Sequence, residues 1–181
     1  MKNIFLKFAF GFLAVAALTV TSCKPDPIVD NEEEVITKLT LTLKDAAGKT
    51  STFSWNDPDG ANGVQKPTID NINLVANTAY TATVKLENGT VTPAANITDE
   101  VQKESNDHLF VYTFDKSNVT VEITDKDANG KPLGIATKVT TKAAGDGKLR
   151  IVLKHLPTDK SNATNPGGAT DIDVEFPVSV K

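Results

Sequence analysis

Cysteine is almost absent from this 181-residue chain: Cys23 stands alone, which excludes an intrachain disulfide and any cluster of thiolate metal ligands. Arginine is nearly missing too. Arg150 is the single one, and the lysines form no run that would neutralise a row of phosphates, so the composition argues against nucleic acid as a partner. With Lys2 and Lys7 set aside, 17 basic side chains face 23 acidic ones, an acidic balance that points the same way. The sequence also lacks the parts of the common catalytic sites. It has no Gly-x-Ser-x-Gly elbow, no phosphate-cradling Gly-Lys-Ser/Thr loop, no His-Glu-x-x-His and no reactive thiol, and no pair of carboxylates is singled out for acid/base work. The expectation is a protein that is not an enzyme.

Long apolar runs are scarce as well. The longest, Phe8 to Val20, spans about 13 residues, short of the roughly 20 that a membrane-spanning helix needs. It follows Lys2 and Lys7 and leads into Val20-Thr21-Ser22-Cys23, the order of a charged n-region, an apolar h-region and a lipobox with an imperfect first position. Residues 1–22 therefore read as a lipoprotein signal peptide and Cys23 as the lipidated residue. A cleaved secreted protein and an uncleaved anchor are the weaker alternatives. Two or three acyl chains on Cys23 give stable attachment, because one chain binds a bilayer only marginally. Residues 23–34, with Pro25, Pro27 and the acidic stretch Asp30 to Glu34, show no apolar periodicity and read as a flexible acidic tether.

From residue 35 to residue 181 the apolar period is two. Leu39, Leu41 and Leu43 alternate with polar neighbours, and Ala46 to Lys49 turns the chain into Ser51, Phe53 and Trp55. The alternation recurs at 69–74, 80–86, 110–114, 119–123, 135–139, 149–153 and 172–180, about nine strands in all. Turns are expected at Asn88-Gly89, Asn129-Gly130, Gly145-Asp146-Gly147 and Pro166-Gly167-Gly168. The stretch 94–107 breaks the rhythm. Thr98 is a plausible N-cap, Asp99 and Glu100 suit a first turn, and Ile97 lies four before Val101, which predicts one short inserted helix. The fold class expected is all-β: a single antiparallel, immunoglobulin-like β-sandwich.

Both histidines fall in phase with an apolar strand face. His108 precedes Phe110, Tyr112 and Phe114, and His155 follows Leu149, Ile151 and Leu153. If those two strands run antiparallel, the histidines share one rim of the sandwich. Glu104 and His108 are four apart, so a helix persisting to His108 would put a carboxylate and an imidazole on one face, as a transition-metal ion or haem iron would use. Glu104, His108 and His155 are thus the candidate metal ligands, against the plainer reading of a solvated acidic helix face and two strand-end histidines. Asp125 to Gly130 starts like a calcium loop, but position 12 is Ala136, so a hairpin turn is expected instead. Asn56 to Gly63 reads as loop chemistry, and Asp171, Asp173 and Glu175 as a solvated strand face that guards an edge. All seven aromatics after Cys23, Phe53, Trp55, Tyr80, Phe110, Tyr112, Phe114 and Phe176, are in phase with core faces, which disfavours a sugar-binding platform.

Several strings, WNDPDG, LVANTAYTATVKL, ITDEVQKESNDHLFVYTF, LKHLPTDK and NPGGATDIDVEF, resemble a family of small Bacteroidota lipoproteins often labelled as similar to a type 1 periplasmic binding fold. The resemblance runs from about Glu34 to Lys181. It implies an outer-membrane lipoprotein, on the cell surface or the periplasmic face, that captures a metal ion or metal complex beside a TonB-dependent receptor. The fold in the label is larger and α/β, whereas the periodicity here is β almost throughout. The alternative expectation is a structural or adhesion lipoprotein with no small ligand.

Overall fold

The computed structural model describes residues 34–60, 63–116 and 118–181. The expected signal peptide, Cys23 and most of the expected tether lie outside them. Eleven strands are present among the described residues, more than the sequence alternation reveals. They are β1 (Lys38–Asp45), β2 (Thr50–Asn56), β3 (Thr68–Ile69), β4 (Ile72–Leu74), β5 (Ala79–Asn88), β6 (Ala95–Asn96), β7 (His108–Phe114), β8 (Val119–Ile123), β9 (Ala136–Thr141), β10 (Gly145–His155) and β11 (Ala169–Val180). The additional ones, β3 and β6, are two-residue edge pairings too short for any period to register.

The strands form two sheets. One has seven strands in the order β3-β2-β1-β5-β9-β8 with β6 on β5, and the other four in the order β4-β11-β10-β7. Pairing is antiparallel except between β4 and β11, which run parallel. The alternation has its expected cause. Leu39, Leu41, Leu43, Ala82, Val84 and Leu86 from the larger sheet are buried against Phe110, Leu149, Ile151, Leu153, Val174 and Phe176 from the smaller. Phe110 and Phe176 are fully buried, and the other five aromatics pack partly buried against the same core.

The turns follow their chemistry in most places. Gly130 and Gly167 adopt positive φ, and Asp127 receives the Asn129 and Lys131 amides in the hairpin expected at that point. Gly145-Asp146-Gly147 differs, because these residues open β10 and pair with Val180, Ser179 and Val178. The reason for a glycine there is space. A Cβ on Gly147 would lie 2.7 Å from the Phe114 ring and from an Asp115 carboxylate oxygen.

The inserted helix α1 (Ile97–Lys103) is shorter than the stretch that predicts it, and a 3-10 turn at Ser105–Asp107 separates it from β7. Ile97 and Val101 are its buried residues, as the four-residue spacing requires. Thr98 is not its cap. Asn96 holds that position without a side-chain bond, and the Thr98 hydroxyl instead accepts from the Leu86 amide at 2.7 Å, docking the helix on β5.

The sandwich depends most on large side chains that fill the space between the sheets. Phe176→Ala is expected to cost about 3–5 kcal/mol in urea unfolding, whereas the exposed Lys126→Ala should fall within about 0.5 kcal/mol of the parent.

Candidate functional site

The site forms where strand ends meet at one rim. β7 and β10 are antiparallel, and His108, first residue of one, is the register partner of His155, last residue of the other. Directly opposed residues project from the same face of a sheet. The two imidazoles accordingly stack, with ring centroids 4.7 Å apart and planes inclined by 24°.

Asp171 joins them through a backbone irregularity. Leu153 pairs with Ile172 but Lys154 pairs with Thr170, so Asp171 is the extra residue of a β-bulge. In unbroken alternation it would point outward with Asp173 and Glu175, which do lie outside and pair with Arg150 and Lys148. The bulge puts Asp171 on the core side together with Ile172, and its side chain has no exposure. Gly168 permits the approach of this strand end, since a Cβ there would meet the His155 carbonyl oxygen at 2.3 Å.

Glu34 is the fourth member, from the other sheet's lead-in. Thr37 is fixed by its amide to the Glu87 carbonyl at 3.0 Å and by its hydroxyl, which accepts from the Gly89 amide at 2.7 Å. Three residues earlier, Glu34 reaches across the rim, and its carboxylate is 7% exposed. One carboxylate oxygen lies 2.7 Å from His108 Nε2 and the other 3.9 Å from His155 Nδ1. Asp171 stands 3.7 Å from each of the same two nitrogens.

These four residues offer ligating atoms that all lie within 4.8 Å of one another. They also concentrate unmet polar demand. Glu34 Oε2, His108 Nε2, His155 Nδ1 and both Asp171 oxygens are buried without an aligned hydrogen bond, and such atoms are few among the described residues. The His108 tautomer follows from its other nitrogen. Nδ1 lies 3.1 Å from the Glu104 carbonyl, which can only accept, so Nδ1 carries hydrogen and Nε2 faces the two carboxylates. A bare lone pair against two carboxylates is repulsive, so a proton, on Nε2 or on one of the carboxyl groups, or a metal ion has to lie between them.

The ionisation of the group follows from the same geometry. Burial by itself works against a charged His108, but the adjoining Glu34 carboxylate, the Glu104 carbonyl and the Asp171 charge outweigh it and the net direction is upward. For Glu34, burial is likewise opposed and outweighed by its close contact with His108 and the charges of both imidazoles, and the net direction is downward. Asp171 goes the other way. Burial, reinforced by the Glu34 charge and only partly offset by the histidines, pushes it up to about 6.

Of the residues singled out from sequence, His108 and His155 are brought together and Glu104 is not. The helix ends before His108, the Glu104 side chain is exposed, and Glu104 contributes its backbone carbonyl instead. Sequence alternation misses Asp171 because a bulge leaves no mark in composition. Glu34, at the end of the expected tether, belongs to a run of three glutamates in which nothing distinguishes it.

The surroundings hold this rim in place. Lys160, in the loop between β10 and β11, has a largely covered side chain that donates to Asp127 at 2.6 Å and to the Ser105 carbonyl at 2.7 Å, fastening the turn that precedes His108. In the loop that follows β2, Asp59 accepts the Val64 and Gln65 amides, the loop chemistry expected of it. A groove across β1, β5 and β9, lined by Lys44, Tyr80, Thr83 and Lys138, shares no residue with the four-residue cluster and gathers none of the unmet polar atoms.

No known protein family, no curated protein and no solved structure matches the chain, so the lipoprotein resemblance stands on its sequence strings alone.

A group whose folded value lies above its unfolded one costs stability once it ionises, and for Asp171 the cost builds between its ordinary value of 3.8 and about 6. In chelator-treated protein, Asp171→Asn should therefore leave stability unchanged at pH 3.5, gain on the parent through pH 4–6 and keep a constant advantage above that. An advantage independent of pH in urea titrations would contradict this origin.

Proposed function

We propose that this protein is a lipid-anchored binding module of the cell envelope whose ligand is a divalent transition-metal ion held by Glu34, His108, His155 and Asp171. The carrying observation is the convergence of two imidazoles and two carboxylates, all buried, on a point where their polar atoms lack partners. Two carboxylate charges match a dication and leave the group neutral, which removes the penalty of burying unpaired charge. A tetrahedral ion bound at about 2.1 Å separates neighbouring ligand atoms by about 3.4 Å. One ligating atom from each of the four residues lies within 4.8 Å of the other three, close enough for small side-chain shifts to reach that shell. Imidazole donors favour zinc, copper, nickel or iron over calcium or magnesium, which take oxygen ligands in larger shells.

The Nδ1–H of His108 donating to a backbone carbonyl is the outer-shell contact that orients a metal-binding histidine. A bare ion suits the site better than haem, because the imidazoles face each other at 4.7 Å rather than an open apolar slot. Lipidation at Cys23, placement at the outer membrane and a TonB-dependent receptor as partner complete the proposal. They rest on the lipobox-like segment and the lipoprotein resemblance. Among the described residues no helix is long and apolar enough to cross a membrane.

The alternative, an envelope interaction protein with no small ligand, requires the cluster to be a proton-sharing network, and metal titration separates the two. With the unlipidated Cys23→Ser chain, calorimetry should show one zinc ion bound per chain. His108→Ala, His155→Ala or Asp171→Ala should weaken binding by at least about a hundredfold, and Glu104→Gln should leave it unchanged. Absence of heat with zinc, copper, nickel and iron(II) alike would refute the metal reading. Anchoring is checked separately by metabolic labelling with radioactive palmitate, expected on the natural chain and lost in Cys23→Ala.

A further inference from the structure

The four ligands are not held alike. His108 and His155 sit in ladder register on adjacent strands, and Asp171 is set by the bulge of the strand beside them. All three belong to the four-stranded sheet, so their relative positions are fixed by backbone hydrogen bonds that exist whether or not an ion is bound. Glu34 lies outside any strand, ahead of β1 in the seven-stranded sheet. Among the described residues the backbone bonds that fasten its segment begin at Thr37, while Val35 in between is 52% exposed. Glu34 thus reaches a buried position from a stretch with little to keep it there besides the cluster and the buried Ile36.

We propose that His108, His155 and Asp171 form the preformed three-ligand part of a four-coordinate, zinc-class site, and that Glu34 is its closing ligand, so that metal binding clamps residues 34–36 onto the four-stranded sheet. The inference rests on the metal-binding reading given above. An ion in the three-ligand part keeps one position open on the side from which Glu34 approaches. Closure fills it, shields the ion from water and joins the two sheets at this rim through a metal bridge. The residue that closes the site is continuous in sequence with Cys23, eleven positions earlier. Occupancy therefore sets how firmly Glu34 is held beside the site, by the ion when it is present and by its contact with the histidines alone when it is not. The geometry couples metal content to the docking of residues 34–36 on the sandwich.

The test uses the full Cys23→Ser chain with zinc as the probe, and reads affinity, release to a chelator, and hydrogen exchange of the amides at residues 35–37. The parent should bind one zinc ion and show slower exchange at 35–37 in its presence. Glu34→Gln, whose thermal unfolding without metal checks that it folds, should still bind one ion. Its affinity should be lower by at least about tenfold, the least that even an outer-shell partner costs, with faster release and no zinc-dependent protection at 35–37. Glu34→Gln binding as tightly as the parent would overturn the closing role, as would exchange at 35–37 indifferent to zinc in a parent that binds it. A parent that binds no zinc would fail at the earlier step, and with it the metal-binding reading.

Discussion

Two carboxylates and two imidazoles buried at one end of the sandwich impose a condition that the neighbouring structure has to meet. Glu34 and Asp171 bring negative charge into a region shielded from water, and a proton or a metal ion shared with the stacked imidazoles compensates it. With a proton on His108 the group is a compact ion network. With a divalent ion it is a neutral four-ligand shell. Both demand that four side chains from different parts of the chain arrive within a few ångströms, and the surrounding features can be read as the means of that arrival. These are the strict register of β7 on β10, the bulge at Asp171, the missing Cβ at Gly168 and the Lys160 ion pair that fastens the preceding turn.

The cluster also accounts for departures from regular sheet geometry. A bulge leaves one residue out of the ladder, and a glycine held at positive φ loses conformational freedom on folding. Neither improves the packing of the core, which is built from the uninterrupted leucines, isoleucines and valines nearer the centre of the sheets. Both serve to aim side chains at the rim.

Much of the fold is legible in the sequence because burial on one face of a strand imposes a two-residue period, and Leu39-Leu41-Leu43 or Val174-Phe176-Val178 display it without interruption. The short helix is legible through Ile97 and Val101, whereas its end is not, because the 3-10 turn at Ser105–Asp107 has no composition of its own. Half of the cluster could be anticipated. His108 and His155 occupy core-facing phases at opposite strand ends, so antiparallel pairing alone brings them to one rim. Glu104 fits the spacing of a helix that stops too soon, and Asp171 is hidden by the assumption that alternation continues.

The sequence alone determines the β class, the two core faces, the lone Cys23 behind a lipobox-like segment, and the phase of the two histidines, because each follows from local periodicity or local chemistry. Only the tertiary structure decides that Asp171 turns inward and that Glu34 folds back over the rim. A bulge depends on how two strands align, and the position of a side chain ahead of the first strand depends on contacts with residues more than seventy positions away. Long-range register, which no local window contains, turns two in-phase histidines into a four-residue site.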